Sequence, residues 1–484
     1  MLLSELLKNV KEYEWLGQGD LEIADIAIDS RKACPGCLYV CIPGGRVDRH
    51  AFAAQVVEDG AVALVVERAL DIPVSQVLVK NSRQTLALLA AAFYGYPARE
   101  LEIMGVTGTK GKTTTTYLIK SILEQHGEKI GLIGTMANLS GDRSLPQTLT
   151  TPDPMEFHGL LREMANDGCK RVVMEVSAHA LELSKLEGVR FSIGLYTNLS
   201  QDHLNDFITM DNYRNAKKKL FTDAMVEQVL VNADDPWGAY MVQDYHGAVL
   251  TYGCREGQVR AEDIRLSMDG ISYTLAAGPV KKPIRLHIAG EFNVYNSLAA
   301  AVACMQMGCS LETIARGLGA VKSVSGRVQR IETTTPYAVF VDYAHSPDSL
   351  EKILEVARSF VKDGKLTVVF GCGGERDTSK RPIMGAIAAR MADNIIITSD
   401  NPRTENPEAI LDMIEEGITG AATPYQRIAD RRKAIHAAID GAQPGDVIII
   451  AGKGHETYQD IMGEKHHFDD REVVQEYLGM VPGK

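Results

Sequence analysis

Gly105-Val106-Thr107-Gly108-Thr109-Lys110-Gly111-Lys112-Thr113-Thr114-Thr115-Thr116 is the stretch that decides the fold. The apolar run before it, 101–106, reads as a strand. The residues after it read as a helix that sets Leu118 with Ile122 and Ile119 with Leu123 on adjoining faces and stops near Gly127. Strand, glycine loop and helix N-terminus together form a polyphosphate cradle. Glycines let backbone N–H groups close on the anion, and the helix dipole adds positive potential. In that cradle Lys112 reaches the outer phosphates and the Thr113 hydroxyl holds Mg²⁺. Val106 stands where a strict Walker A motif has its first glycine.

Working outward, 484 residues leave room for two to four domains, and an apolar content of 45% is that of a globular protein. A net charge of −12 excludes a general nucleic-acid binder, whose footprint is basic. The chain has no run of 18 apolar residues, so no membrane insertion is expected. The opening MLLSELLKNVKEYEWLG alternates apolar and charged residues as an amphipathic helix does. It lacks the basic and apolar regions of a secretion signal. Eight cysteines in so long a chain suit free thiols and a cytoplasmic location. Cys34, Cys37 and Cys41 lack the further ligands a structural zinc needs, so the expectation is a turn at 34–37 leading into a half-buried strand at 38–44.

Three segments are expected. Residues 1–98 hold short strands at 23–28, 38–42, 63–66 and 77–79, and end at the turn Tyr96-Pro97-Ala98. Residues 99–330 alternate strands (103–106, 172–176, 193–197, 229–232) with helices, the pattern of an α/β unit with a mainly parallel sheet. Residues 331–484 repeat the alternation, with strands at 338–342, 366–371, 394–398 and 447–451 rich in Val and Ile, as strands buried on both faces are. The fold class is therefore α/β, and ligands belong at the carboxyl ends of the strands.

The polar motifs fall at those ends. Glu175 closes one strand, and Asp202 and His203 follow another. An acid there, beside a phosphate loop, suits a nucleotide Mg²⁺, whereas His203 alone reads as an ordinary hydrogen-bonded loop histidine. Lys217, Lys218 and Lys219 alone read as a solvated basic face, but side chains on a helix point about 100° apart. Tyr213 and Lys217 share a face, so Lys217 can turn inward. In the third segment four glycine-rich or charged loops end four strands: 342–347, 371–377, 400–403 and 452–456. Together they form one binding mouth.

The ordered set of Asp29-Ser30-Arg31, Gly108 to Thr114, Thr150-Thr151-Pro152, Glu175-Val-Ser177-Ala-His179, Thr197 to His203, Tyr213 to Lys217, Gly290 to Asn296, Gly326-Arg327, Asp342 to Pro347, Gly373-Gly374 with Arg376-Asp377, Lys380-Arg381-Pro382, Asp400 to Arg403 and Gly452 to Glu456 resembles the Mur ligases. It is closest to the branch that extends UDP-N-acetylmuramoyl-L-alanyl-D-glutamate by a third peptide residue. The resemblance implies three domains: an N-terminal UDP-binding α/β domain, a central P-loop-like ATPase domain and a C-terminal Rossmann-like domain that brings the amino acid. It implies ATP contacts at Gly108, Thr109, Lys110, Gly111, Lys112, Thr113, Thr114, Asn293, Asn296, Arg327 and Asp342. Muramoyl-peptide contacts fall at Ser30, Thr150, Thr151, Ser177 and Lys185. Two Mg²⁺ sites would draw on Thr113, Glu175, His203 and Lys217, the last matching a lysine carbamylated by CO₂, which replaces the isolated readings of His203 and Lys217.

Amino-acid contacts fall at Arg376, Asp400, Asn401, Pro402, Arg403, Gly452 and Glu456. The guanidinium of Arg403 suits the extra carboxylate of meso-diaminopimelate over L-lysine, the alternative substrate. The expected enzyme is a monomeric ATP-dependent amide ligase of peptidoglycan precursor synthesis, working through an acyl phosphate. Folylpolyglutamate and cyanophycin synthetases share the central pattern but not the Asp29 and Asp400 segments, and a P-loop switch or motor has no use for an amino-acid mouth. The sequence departs from the family at Lys110, where Asn is common, at Lys185, where Arg is common, and at Asp48-Arg49-His50, where Asp-Gly-His is common.

Overall fold

The computed structural model describes residues 1–17, 19–45, 47–202 and 204–480. The chain packs as two compact units, one of residues 1–108, 123–198 and 211–251, the other of 109–122, 199–210 and 252–484.

The first unit opens with a five-stranded sheet in the order Tyr13–Leu16, Ser75–Val79, Ala63–Val66, Cys37–Val40, Asp25–Ala27. It is parallel except for Tyr13–Leu16, which runs antiparallel to Ser75–Val79. Two expectations are corrected here. The amphipathic opening helix is only Leu3–Leu6, followed by a 3-10 turn at Leu7–Asn9. Tyr13 and Trp15 instead pair with Val79 and Val77, where aromatic side chains fit a pleated surface better than a helix. The strand after Cys34 is buried throughout, not half-buried: Leu38 and Val40 enter one core while Cys37, Tyr39 and Cys41 enter another.

A second sheet in this unit sets parallel strands in the order Val226–Asn232, Phe191–Tyr196, Glu102–Thr107, Arg171–Glu175, Ile130–Ile133. The strand that feeds the glycine loop is central, and Glu175 and Thr197 lie at the carboxyl ends of its two neighbours or just beyond them.

In the second unit, Leu118, Ile119 and Ile122 of the helix Lys112–Gln125 are buried as the spacing predicts, with Gly317 packed against Ile122. The strands Val259–Ser267, Gly270–Ala277 and Val280–Leu286, none of them among the strands expected from sequence, form an antiparallel meander. The helices Phe292–Gln306 and Leu311–Ala320 follow. The final sheet runs Gln329–Ile331, Ala338–Asp342, Val447–Ala451, Leu366–Phe370, Asn394–Ile397, Tyr425–Arg427, parallel except for the first strand. Successive side chains alternate between two cores. Phe340, Val368 and Ile449 face one, and Val339, Val369, Ile448 and Ile450 the other. At roughly 1.5–3 kcal/mol per buried aliphatic side chain, this two-sided burial fixes the register and brings four strand ends, with their loops, to one edge.

Candidate active site

In the first unit the Thr107 carbonyl at the end of the central strand accepts from both the backbone N–H, at 3.0 Å, and the Oγ1, at 3.3 Å, of Thr197. Gly108 follows at φ +149, so close to this neighbour that an added Cβ would lie 1.9 Å from Thr197 Oγ1. Lys217, on the helix Met210–Lys218, is buried with 1% exposure. Its ammonium lies 4.4 Å from the Tyr213 ring centroid and donates to the Gly108 carbonyl at 2.9 Å. Lys218 instead pairs with Asp244 and Lys219 with Glu182. Of the three lysines, the helix turns Lys217 into the glycine loop.

Glu175 is also buried, at 1% exposure. Its two oxygens accept from the backbone N–H of Thr135 at 2.9 Å and from Thr135 Oγ1 at 3.0 Å. Thr135 Oγ1 meets Thr150 Oγ1 at 3.1 Å, and Thr151 Oγ1 donates to the Glu175 carbonyl at 2.9 Å while accepting from Ser177 N at 3.0 Å. Ser177 caps the helix Ala178–Glu182 by accepting from Ala180 N at 3.2 Å. Glu175, Thr150, Thr151 and Ser177, assigned from sequence to two different ligands, thus form one hydrogen-bonded knot. Lys185 sits near its rim, paired with Asp153 at 2.8 Å. Ser30 opens a 3-10 turn whose cap, Asp29, is held down to about 2 by hydrogen bonds from the Arg31 side chain and backbone. In the variant Asp48-Arg49-His50 segment, the His50 ring bonds Asp48 at 2.6 Å and accepts from Glu67 N at 3.0 Å.

In the second unit Lys112 Nζ donates to the Thr109 carbonyl at 3.0 Å. Thr109 Oγ1 accepts from Ser200 N at 3.0 Å. Lys110 Nζ meets Asp202 at 3.1 Å and Ser346 Oγ at 3.4 Å. The unusual lysine of the loop therefore has a carboxylate partner and reaches the Asp342–Pro347 segment. Thr113 and Thr114 are buried in the first turn of the helix. Gly111, at φ +86, passes so close to Asn296 that a Cβ would lie 2.3 Å from its Oδ1. Asn296 Nδ2 donates to Asn293 Oδ1 at 2.8 Å, and Asn293 Nδ2 to the Ala289 carbonyl at 2.7 Å. Asp342 accepts from Val328 N at 2.7 Å; burial raises its carboxyl and the nearby Arg327 opposes the rise. The Arg327 guanidinium lies 5.1 Å from the Tyr343 ring, and its buried Nε has no partner among the described residues.

The four strand-end loops do form one mouth. Gly374 N donates to the Asn401 carbonyl at 2.9 Å, Gly452 N to the Asp342 carbonyl at 3.0 Å, and Asn401 Nδ2 to Glu456 at 2.8 Å. Asp400 and Pro402 are buried, Arg376 is exposed, and Arg403 is half-buried with its guanidinium on the Gly374 carbonyl. Arg403 holds a left-handed backbone, φ +52. A hairpin that sequence reasoning missed, Tyr458–Ile461 with Glu464–His467, fixes it: Arg403 N donates to the Asp460 carbonyl at 3.0 Å, and Met462 N donates to the Arg403 carbonyl at 2.7 Å. Also missed is Lys453, a fully buried lysine between Asn401 and Glu456. His203 lies outside the described residues. Among the described residues no group of three His, Cys, Asp or Glu side chains is placed to hold a metal, and no helix is long and apolar enough to cross a membrane.

A phosphate loop on a parallel sheet, joined in one chain to a doubly wound sheet with a polar mouth, defines a nucleotide-dependent enzyme with a second substrate site. Models of known families match in three places: the Mur ligase family catalytic domain at 22–94, the Mur ligase middle domain at 106–304 and the Mur ligase glutamate ligase domain at 326–454. The UDP-N-acetylmuramoyl-L-alanyl-D-glutamate--2,6-diaminopimelate ligase of Caldanaerobacter subterraneus subsp. tengcongensis is 44% identical over 481 residues, 99% of each chain. Its namesake in Geobacillus thermodenitrificans is 43% identical, over 98% of this chain and 99% of its own. A solved structure of a ligase of that same name is 31% identical with a TM-score of 0.69, covering 94% of this chain and 95% of its own. MurF from Acinetobacter baumannii, at 21% identity and TM-score 0.66, shares the fold. The chain belongs to the Mur ligase family, and the expected three-domain α/β architecture is borne out.

Proposed function

We propose that this chain adds meso-diaminopimelate to UDP-N-acetylmuramoyl-L-alanyl-D-glutamate at the expense of ATP. It is an ATP-dependent, ADP-forming ligase of peptidoglycan precursor synthesis. The observation that carries the reading is likeness of 44% and 43% over nearly the full chain to ligases named for this reaction. The Arg403 guanidinium in the mouth agrees with it.

The family resemblance implies the chemistry and the role of each residue in it. A D-glutamyl carboxylate oxygen attacks the γ-phosphorus of ATP, the bond from that phosphorus to the ADP oxygen breaks, and an acyl phosphate forms. The amine of diaminopimelate attacks the acyl carbon, loses a proton and expels phosphate. Lys112 and the loop N–H groups stabilise the charge gathering on the transferred phosphoryl group. Thr150, Thr151, Ser177, Lys185 and Ser30 bind the muramoyl-peptide nucleotide. Asn293, Asn296, Arg327 and Asp342 bind ATP, and the Asp400–Arg403, Arg376 and Gly452–Glu456 loops bind diaminopimelate.

Two Mg²⁺ sites would draw on Thr113, Glu175, His203 and Lys217, the last as a carbamate. Two of these residues suit that role by their chemistry: Glu175 is a buried carboxylate fixed at both oxygens, and Lys217 presents a buried amine that CO₂ would turn into an anionic oxygen ligand. Mg²⁺ held by these residues would supply positive charge to offset that of the anionic substrates. Domain boundaries near 98 and 330, a cytoplasmic location and a monomeric state complete the reading. The test is phosphate release, which should require ATP, the UDP-muramoyl-dipeptide and the amino acid together. Release of equal size without the dipeptide substrate would refute it.

A further inference from the structure

Lys453 has no accessible side-chain surface. Its ammonium lies 3.1 Å from Glu456 Oε2 and 3.1 Å from Asn401 Oδ1, with the Tyr458 ring centroid 5.4 Å away. Asn401 is itself oriented from both ends: Oδ1 also accepts from Asp460 N at 2.9 Å, and Nδ2 donates to Glu456 Oε2 at 2.8 Å. Glu456 is the member of this trio that reaches solvent, with 16% of its side chain exposed. Among the described residues, both side-chain hydrogen bonds it receives land on Oε2. The carboxylate is therefore gripped by one oxygen and turned so that Oε1 faces a different way.

Burying an ammonium costs several kcal/mol unless excellent partners compensate, so a lysine sealed between two residues of the amino-acid mouth is an expensive way to fill space. We propose that Lys453 is a positioning residue for the amino-acid substrate. With Asn401 it anchors Oε2 of Glu456 and so presents Oε1 as the acceptor for the ammonium of the substrate that does not react. The inference rests on the reading of this mouth as the diaminopimelate site. Lys453 touches no substrate itself. It acts through the direction and charge of Glu456, and it makes the site demand a second ammonium at one position.

The test is a competition in the full-length enzyme between meso-diaminopimelate and 2-aminoheptanedioate, which keeps both carboxylates and the reacting amine but lacks the distal one. The ratio of their kcat/KM values is independent of how much of a preparation is folded, because both compete for the same molecules. The wild type should prefer diaminopimelate by about ten-fold or more, as a site built for a polar group rejects the analogue lacking it. K453M and K453Q should bring the ratio close to one, as should E456Q. K453M/E456Q should be no lower, since both changes act through one carboxylate. KM for ATP and for the UDP-muramoyl-dipeptide should stay within about two-fold of wild type, as the change is confined to the third substrate's site. A wild-type ratio in K453M, or in E456Q, would overturn the proposal. Failure of both K453M and K453Q to fold would also overturn it, by assigning the lysine to stability alone. A wild-type enzyme that turns over neither amino acid would refute the functional reading instead.

Discussion

The Lys217 ammonium donates a 2.9 Å hydrogen bond to the carbonyl of Gly108, 109 residues earlier in the chain. This bond ties a buried amine to the glycine at which the central strand becomes the phosphate loop. It also distinguishes Lys217 from Lys218 and Lys219, whose partners are carboxylates at the surface.

Lys217→Ala should lower turnover by about 10²-fold or more, the scale of losing one preorganised electrostatic group. Short carboxylic acids should partly restore it by standing in for carbamate oxygens. Lys218→Ala and Lys219→Ala should stay within a few-fold of wild type, since surface ion pairs contribute about 0–1 kcal/mol. Steady-state phosphate release checks all three. An essential Lys218 beside a dispensable Lys217 would contradict this account.

Lys112→Ala should reduce kcat by about 10²–10³-fold while leaving the melting temperature nearly unchanged. Its Nζ donates to the Thr109 carbonyl within the same loop, and the role proposed for it is to stabilise phosphate charge rather than to pack a core. Parallel turnover and thermal-melt measurements separate the two effects, and near-normal turnover in a folded variant would contradict the role.

Gly111→Ala should abolish ATP binding measured by calorimetry. The left-handed backbone at φ +86 and a Cβ only 2.3 Å from Asn296 Oδ1 leave no room for a methyl group without moving the loop. Unchanged affinity would show that the loop shifts at little cost.

These residues also show what sequence can encode. The glycine loop was legible because its spacing specifies backbone geometry directly. The strands of the final sheet were legible because burial on both faces leaves runs such as Ile448-Ile449-Ile450. The Val259–Ser267 strand was not. Its exposed face carries charges, and a register shift between Glu262 and Arg265, with Asp263 at φ +55, breaks the two-residue period. Ile130–Ile133 is too short and too interrupted by glycine to be distinguished by periodicity. In the mouth, the Arg403 motif was readable, but its left-handed backbone is imposed by a hairpin near residue 460. Nothing in the local sequence of Lys453, between two glycines, marks it as buried; it is held by Glu456 and by Asn401, 52 residues earlier in the chain.

Stability should fall in mild acid partly through His158. Burial lowers its pKa from 6.5 to about 4, and neither ring nitrogen has a partner among the described residues. The folded state therefore holds the neutral ring while the unfolded chain takes up a proton below pH 6.5. The contribution is complete above that pH and is lost as pH falls toward 4, up to roughly 3 kcal/mol from the linkage of pKa to stability. Urea midpoints at pH 7.5 and pH 5.0 should converge more for His158→Met than for wild type. An equal pH dependence in both would contradict the assignment.

The most direct measurement of the central claim is kcat/KM for meso-diaminopimelate and for L-lysine, in wild type and in Arg403→Ala, with UDP-N-acetylmuramoyl-L-alanyl-D-glutamate and ATP saturating. The half-buried Arg403 guanidinium, fixed on the Gly374 carbonyl, lacks a carboxylate when lysine binds. Leaving such a charge without its partner is a penalty of roughly 2–5 kcal/mol. The account predicts that wild type prefers diaminopimelate by about 30-fold to several thousand-fold, and that Arg403→Ala loses most of that preference. Equal or better use of lysine by the wild type would contradict it, and so would an Arg403→Ala enzyme that discriminates as strongly as before.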